Sequence, residues 1–587
     1  MANPKYQPVA RLDALRDREP ERATLGGVEL VVLRVGGEVS VFQGACPHQG
    51  TSLSTGSVSG TTLTCASHAW CFDTRTGERV DRPGKCLQRF ECQVQDGAVL
   101  VDACEVAQWA DRTRRPSPHA PAGGTRTIAS LDGPPPLPLL GNALSMRPGR
   151  LNASLGEWAA RYGRAFKLTI PPKTTAVAFS DPTTLRTLLK DRPATFRRIS
   201  SLAPVVKEAG GHGLFSQEGD EWRRSRRLTM PAFNMAQLRS FHGTMNKVLG
   251  RLQARWRKAA ADGTTLVVQD EMTRFTVDIT TILAFGHDLN TIEDQGGGIR
   301  DDLGVILPRV SARLLFPIPY WRYVRLPRDR AFDRARGRVQ ALVLDLVERA
   351  RHRMRGKEPH EATTFLESLV LARDEGGGRL ADEEIFGQVL TMLLAGEDTT
   401  AHTLSWIVHY MTEHPSVQAP MGAEAREVLD GPFAAQITDY EQLHYIHGVA
   451  MEAMRLRPVA PIIFLEATTD VEVEGIALPK GTMLILLSSQ AGLADENFAD
   501  AHRFDPQRWI DPEGRVHRPE VLLPFGFGPR HCPGRSLAMT EIHSVLAMLA
   551  ADFRVAKVDG HPPVEEVFGF VLTASPMRVR LTATASA

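Results

Sequence analysis

No run of about 18 apolar residues occurs in the 587-residue sequence, so a membrane-spanning helix is not expected. Met1 to Arg22 is polar and lacks the apolar core of a signal peptide. The formal net charge is only +1, which gives no electrostatic case for nucleic acid as a partner. No G-x-G-x-x-G follows a strand pattern, so a Rossmann-type nucleotide-binding domain is not expected either. Cysteine is scarce and uneven. Six of the seven lie at positions 46, 65, 71, 86, 92 and 104, and Cys532 stands alone in the rest of the chain. A disulfide scaffold would not be distributed this way, whereas a reduced protein with local cysteine chemistry would.

What is present is an ordinary globular balance, 43% hydrophobic and 23% charged, in a chain too long for one core. The first hundred residues read as β structure. Val28 to Phe42 alternates in strand fashion, with Gly36-Gly37 as a hairpin turn, and Leu87 to Val101 forms a second hairpin at Asp96-Gly97. Between the hairpins lie Cys46-Pro47-His48 and Cys65-Ala66-Ser67-His68. Two cysteines and two histidines can hold zinc tetrahedrally. Here each loop supplies one of each, which also suits a [2Fe–2S] cluster with two thiolates on one iron and two imidazoles on the other. Cys71, Cys86, Cys92 and Cys104 read as small buried hydrophobes.

From about Glu105 the alternation stops, and residues 112–126 are rich in proline, glycine and arginine. Residues 105–132 are expected to be a flexible linker, which keeps what it joins at roughly millimolar effective concentration. Beyond it most of the chain reads helical. A helix is expected near Leu151 to Tyr162, strands at Ala165 to Thr169 and Thr175 to Phe179, and a basic helix around Trp222 to Arg227. The longest helical pattern runs from Ala381 to Thr412 and holds Ala395-Gly396-Glu397-Asp398-Thr399-Thr400. A glycine and adjacent hydroxyl residues are poor choices inside a helix, which marks a candidate functional site. Leu314 to Tyr323 is unusually aromatic and suits a core, an apolar access path or a membrane surface.

Near the C-terminus stands Phe525-Gly526-Phe527-Gly528-Pro529-Arg530-His531-Cys532-Pro533-Gly534. Its glycines let the backbone turn tightly and approach a flat ligand. A buried free cysteine in a glycine-rich turn is the plainer alternative. The pattern F-x-x-G-x-R-x-C-x-G resembles the haem-ligand loop of the cytochrome P450 family. That resemblance implies a haem b held by a Cys532 thiolate, with Phe525, Gly526, Arg530 and Gly534 around it. It further implies Trp222 and Arg226 at a haem propionate and Asp398 and Thr399 as a proton relay during dioxygen activation. Glu452, Arg455 and Arg508 would form a structural lock. The family commonly carries a second propionate arginine after the Glu452 helix; its expected position holds Leu465. The segment Glu441, His444 and His447 offers a non-haem iron alternative, but it leads into the Glu452 helix, and the histidines are assigned to ordinary helix positions.

The first region in turn resembles Rieske-type ferredoxins, through C-P-H-x-G-x-x-L-x-x-G from Cys46 and C-x-x-H-x-W-x-F-D-x-x-T-G from Cys65. This resemblance implies Cys46, His48, Cys65 and His68 as [2Fe–2S] ligands. Thr51 and Ser67 stand where respiratory Rieske proteins carry a bridging cysteine pair. The expected architecture is multidomain. A small all-β Rieske domain, an antiparallel sandwich at 5–104, precedes a mainly α cytochrome P450 fold with a minor β region at 133–585. The expected function is a cytoplasmic, bacterial monooxygenase. It would use O2 on a lipophilic small molecule, with electrons from a separate NAD(P)H-dependent flavin ferredoxin reductase arriving near Gly534 and Arg535. The alternatives are a peroxide-driven haem enzyme or haem isomerase, and a redox sensor.

Overall fold

The computed structural model describes the chain apart from residues 1–4, 27, 48–51, 66–69, 81–85, 114–124, 147–148, 171–173, 234, 294–297, 316–318, 359–360, 375–376, 430, 432, 570 and 585–587. It divides into two compact units. One comprises Met1–Gly124 with Arg186–Arg192 and Phe525–Pro533; the other comprises Thr125–Leu185, Pro193–Pro524 and Gly534–Ala587.

Among the described residues of the N-terminal unit there are ten strands: β1 (Tyr6–Arg11), β2 (Glu21–Leu25), β3 (Val28–Val35), β4 (Glu38–Gln43), β5 (Ser57–Ser59), β6 (Thr62–Thr64), β7 (Cys71–Asp73), β8 (Arg89–Phe90), β9 (Cys92–Gln95) and β10 (Ala98–Asp102). They form three antiparallel sheets, ordered β1-β10-β9, β2-β3-β4-β8 and β5-β6-β7. Both expected hairpin turns are present. Gly36 and Gly37 join β3 to β4, and Asp96 and Gly97 join β9 to β10, all four with positive φ. That is the backbone twist two-residue hairpins require. Strand β3 is buried on both faces. Leu30 and Val32 pack with Val41, Phe90, Val99 and Val101, while Val31 and Leu33 pack with Phe42, Leu53, Leu63, Phe72, Cys46 and Cys65. The second of these cores therefore holds both cysteines of the C-x-H and C-x-x-H loops.

The expected start of the linker is wrong. Ala103–Thr113 is a helix. Val106 is 1% exposed, and Trp109 meets Phe90 edge-on at 5.5 Å, so this helix belongs to the first core. The strand alternation ends at Glu105 because the apolar spacing changes from two residues to three, as Val106 and Trp109 show. Residues 114–124 of the expected linker lie outside the described residues. Its last part is ordered by pairing: Arg126–Thr127 runs parallel to Ile476–Ala477.

The larger unit is helical around one central helix, Asp382–Glu413. Glu384 accepts a hydrogen bond from the Ala381 backbone N–H at 2.8 Å, which caps its start. This helix packs along Val268–Phe285 and contributes Val389, Leu390, Leu404 and Ile407 to the main core. The expected helix at Leu151–Tyr162 and strands at Ala165–Ile170 and Thr174–Phe179 are present. The two strands edge a five-stranded sheet that continues through Met483–Leu487 and Ile462–Ala467 to Phe196–Arg198. In the aromatic segment, Trp321 is buried at 2% and donates to Glu208 at 2.7 Å, whereas Tyr323 is 82% exposed. Among the described residues no helix is long and apolar enough to cross a membrane.

Helix His444–Leu456 is fixed to the segment that follows it by one carboxylate. Glu452, 0% exposed, accepts from Arg455 at 2.7 and 2.8 Å, from Arg508 at 3.0 Å, from the Trp509 indole at 2.9 Å and from the Asp505 backbone N–H at 2.9 Å. Arg455 also reaches the carbonyls of Gly492, Ala501 and Arg503. Removing one partner from such a buried group leaves uncompensated charge. Glu452→Ala is expected to destabilise the helical unit by about 3–5 kcal/mol, read as a lowered urea midpoint of its unfolding transition.

Candidate functional site

The loop from Phe525 to Gly534 is shaped by its own backbone. The Cys532 N–H donates to the Phe525 carbonyl at 2.9 Å, and the His531 N–H donates to Gly528 at 3.1 Å. Gly526 and Gly528 both have φ of +71°. A side chain on Gly528 would strike the Leu189 carbonyl at 2.6 Å, whereas one on Gly526 meets nothing closer than the Arg530 carbonyl at 4.0 Å. Gly528 is thus fixed by close packing, and Gly526 leaves open space beside the loop. Cys532 and Arg530 are half-buried. Gly534 is the N-cap residue of helix Arg535–Asp552, which begins three residues after Cys532.

The central helix runs unbroken through Ala395 to Thr400, but its carbonyls there take extra donors. Thr399 Oγ1 donates to the Ala395 carbonyl at 2.7 Å, Thr403 Oγ1 to Thr399 at 2.8 Å, and Thr276 Oγ1 to Glu397 at 3.1 Å. A Cβ on Gly396 would meet Thr280 Oγ1 at 3.1 Å, so glycine sets the approach of the two helices. Ala395 is exposed in the middle of this 32-residue helix. Asp398 is pushed up to about 6 by burial, and burial pushes His402 down to about 4. Their closest atoms are 4.0 Å apart. At neutral pH His402 is therefore uncharged, and the contact is not an ion pair. An acid near 6 is mostly ionised at pH 7 yet regains a proton readily.

Trp222 and Arg226 sit on helix Gly219–Thr229, 6% and 8% exposed, on one buried face as their four-residue spacing expects. Arg223 and Arg224 point elsewhere: Arg223 pairs with Asp220, and Arg224 pairs with Asp374 and Glu384. Leu465 is fully buried in strand Ile462–Ala467. Among the described residues no three His, Cys, Asp or Glu side chains are arranged to hold a metal ion. His447 faces His543 at 3.2 Å, and burial lowers both; Glu441 stands on a separate turn.

In the N-terminal unit Cys46 and Cys65 are 2% and 1% exposed. The Cys65 N–H donates to the Trp70 carbonyl at 2.9 Å, and the Leu53 N–H donates to Gly44 at 2.7 Å, which shapes the two cysteine-bearing loops. Gly77, at φ +76°, admits no side chain: a Cβ would meet the Leu87 carbonyl at 2.8 Å and the Phe42 ring at 2.9 Å. His48 and His68 lie outside the described residues.

A cytochrome P450 sequence profile matches residues 131–581, which is most of the chain. The chain belongs to the cytochrome P450 family. A Rieske [2Fe-2S] domain profile matches residues 5–91. Pentalenene oxygenase of Streptomyces avermitilis is 29% identical over 78% of this chain and 98% of its own length. Cyclooctat-9-en-7-ol 5-monooxygenase of Streptomyces melanosporofaciens is 28% identical over 73% and 90%. Leukotriene-B4 omega-hydroxylase 3 of Mus musculus is 28% identical over 68% and 79%. The chain is a haem-thiolate oxidoreductase with an N-terminal Rieske domain, and the two families carry haem and a [2Fe–2S] cluster.

The residues present fit both groups. The half-buried Cys532 thiol, on a loop with open space at Gly526, suits a thiolate ligand of a flat cofactor, and the buried Trp222–Arg226 face by itself suits a carboxylate. Two cysteines in one dry cluster suit the thiolate side of a Rieske centre.

The structure adds an acid that sequence reading missed. Glu541, on the helix after the cysteine loop, is 2% exposed, and burial pushes it up to about 8, partly offset by a hydrogen bond from Thr400. A glutamate within an otherwise apolar helix face was its one sequence signal. Its folded value lies above the ordinary 4.5, so the folded chain holds an extra proton between about pH 4.5 and 8. Stability from this group falls as pH rises through that window. Glu541→Gln is expected to remove the slope: its melting temperature matches the parent near pH 5 and exceeds it above pH 8, by on the order of 4 kcal/mol in stability.

Proposed function

We propose that the chain is a self-tethered monooxygenase. Electrons from a separate NAD(P)H-dependent flavin reductase enter at the Rieske domain and are used in the haem domain. There one atom of O2 is inserted into a lipophilic small molecule, and the other leaves as water with two protons. The observation that carries this reading is the co-occurrence on one chain of a P450 match over residues 131–581 and a Rieske match over residues 5–91. The names of the relatives, for pentalenene, cyclooctat-9-en-7-ol and leukotriene B4, support lipophilic substrates in general and do not select one.

In this reading Cys532 is the thiolate ligand of the haem, which when bound supplies the O2 activation and oxygen insertion. The Phe525 carbonyl holds the Cys532 N–H, and so fixes the loop that presents the sulfur. Trp222 and Arg226 hold a propionate, and Arg530, Phe525, Gly526 and Gly534 shape the loop against the cofactor. Guanidinium groups suit that task because they meet a carboxylate with two parallel donors. Asp398 and Thr399 deliver protons from the central helix. Asp398, near 6, is matched to proton transfer at neutral pH, and Thr399 releases the Ala395 carbonyl to offer its hydroxyl inward. Cys46, His48, Cys65 and His68 hold the [2Fe–2S] cluster.

Two measurements test the reading. Reduced protein under carbon monoxide should show the thiolate-haem Soret band, and Cys532→Ala should lose it; a band that survives in the variant overturns the ligand assignment. With NADH, a flavin ferredoxin reductase and O2, Asp398→Asn should slow product formation about a hundredfold or more while turnover driven by H2O2 falls far less. Equal losses on both routes would remove Asp398 from proton delivery.

A further inference from the structure

The haem family's second propionate arginine has no counterpart at Leu465, and the sheet places a guanidinium directly beside the gap. Strand Phe196–Arg198 pairs antiparallel with Ile462–Ala467, and the register sets Phe196 against Ala467, Arg197 against Glu466 and Arg198 against Leu465. Residues directly opposite in an antiparallel pair share a face, with Cβ atoms about 5 Å apart. Successive residues point to opposite faces, so the two arginines divide between them. Arg197 is exposed and donates to Glu466 at 2.9 Å, while Glu466 also accepts from the Ser200 N–H at 2.8 Å. Arg198 is half-buried on the other face, the face of fully buried Leu465.

The same strand is tied to the helix that bears the other candidate propionate residues. The Arg198 N–H donates to Glu218 at 3.0 Å, and the Glu218 carbonyl accepts from the Trp222 N–H at 3.3 Å. The Arg198 guanidinium lies over the Phe215 ring at 3.8 Å, which orients its plane and shields it from water. Glu218 thus links the Arg198 backbone to the start of the helix that bears Trp222 and Arg226.

We propose that Arg198 binds a haem propionate in place of the arginine that Leu465 lacks. The guanidinium has moved one strand across the sheet while keeping its face. This rests on the haem-domain reading above and concerns only which side chain holds the cofactor's carboxylate.

The test is haem release from the purified holoprotein to excess apomyoglobin at neutral pH. Arg198→Gln should release haem about ten- to a hundredfold faster than the parent, as loss of a charge-assisted hydrogen bond requires. Arg223→Gln, which removes an exposed guanidinium, should release it at the parent rate. Arg198→Leu combined with Leu465→Arg should recover most of the loss seen in Arg198→Leu, which a merely structural role for Arg198 would not allow. Parent-like release from Arg198→Gln, or no recovery in the double variant, overturns the proposal. A thiolate band that survives Cys532→Ala would sink the haem-ligand reading instead. If that band is lost while Arg198→Gln releases haem normally, the Arg198 assignment alone fails.

Discussion

A carboxylate with no solvent contact is tolerated only when its lone pairs are used, and Glu452 uses them on two guanidinium groups, an indole and a backbone amide. The rest of the helical unit depends on that arrangement. It ties helix His444–Leu456 to residues 499–509, and so sets where strand Ile462–Ala467 leaves the helix. Gly492 must be glycine for this to close, because a Cβ there would meet the Arg455 carbonyl at 2.7 Å. Strand Ile462–Ala467 then receives Phe196–Arg198 on one edge, and this register decides which arginine faces inward. A buried ion cluster thus acts as a registry device, one of the better attested uses of buried charge.

Around this frame the polar groups fall into two classes. Glu452, Arg455 and Arg508 are saturated with partners and hold the fold. Asp398, His402 and Glu541 are displaced from their ordinary ionisation by burial itself, because the dry interior disfavours the charged form. Asp398 stands on the central helix and Glu541 on helix Arg535–Asp552, where Thr400 of the central helix hydrogen-bonds to it. Groups that can change protonation near neutral pH suit a reaction that consumes protons.

Motifs with local physical causes were legible in the sequence. The glycine-bearing cysteine loop, the two hairpin turns and the central helix all follow from residues close together in the chain. The central helix was placed to within one residue at each end because its capping glutamate and apolar period are strong signals. The linker boundary was misread because helix Ala103–Thr113 is short, charged and held by only a few apolar contacts such as Trp109 on Phe90. Arg198 and Glu541 were invisible for another reason. Arg198 acquires its meaning from a strand pairing more than 260 residues away in sequence, as the neighbouring Arg197–Glu466 bond at a separation of 269 shows. Glu541 acquires its shifted ionisation from burial, which no local spacing reveals.

The central claim is that the Rieske domain feeds the haem of its own chain. It is tested most directly by haem reduction in the full chain under carbon monoxide, without oxygen, driven by NADH and a flavin ferredoxin reductase. The account predicts a haem reduction phase whose rate does not change as the protein is diluted at fixed reductase, and which is lost when Cys46 and Cys65 are both replaced by serine. Haem reduction at the parent rate in that cluster-free variant would contradict it.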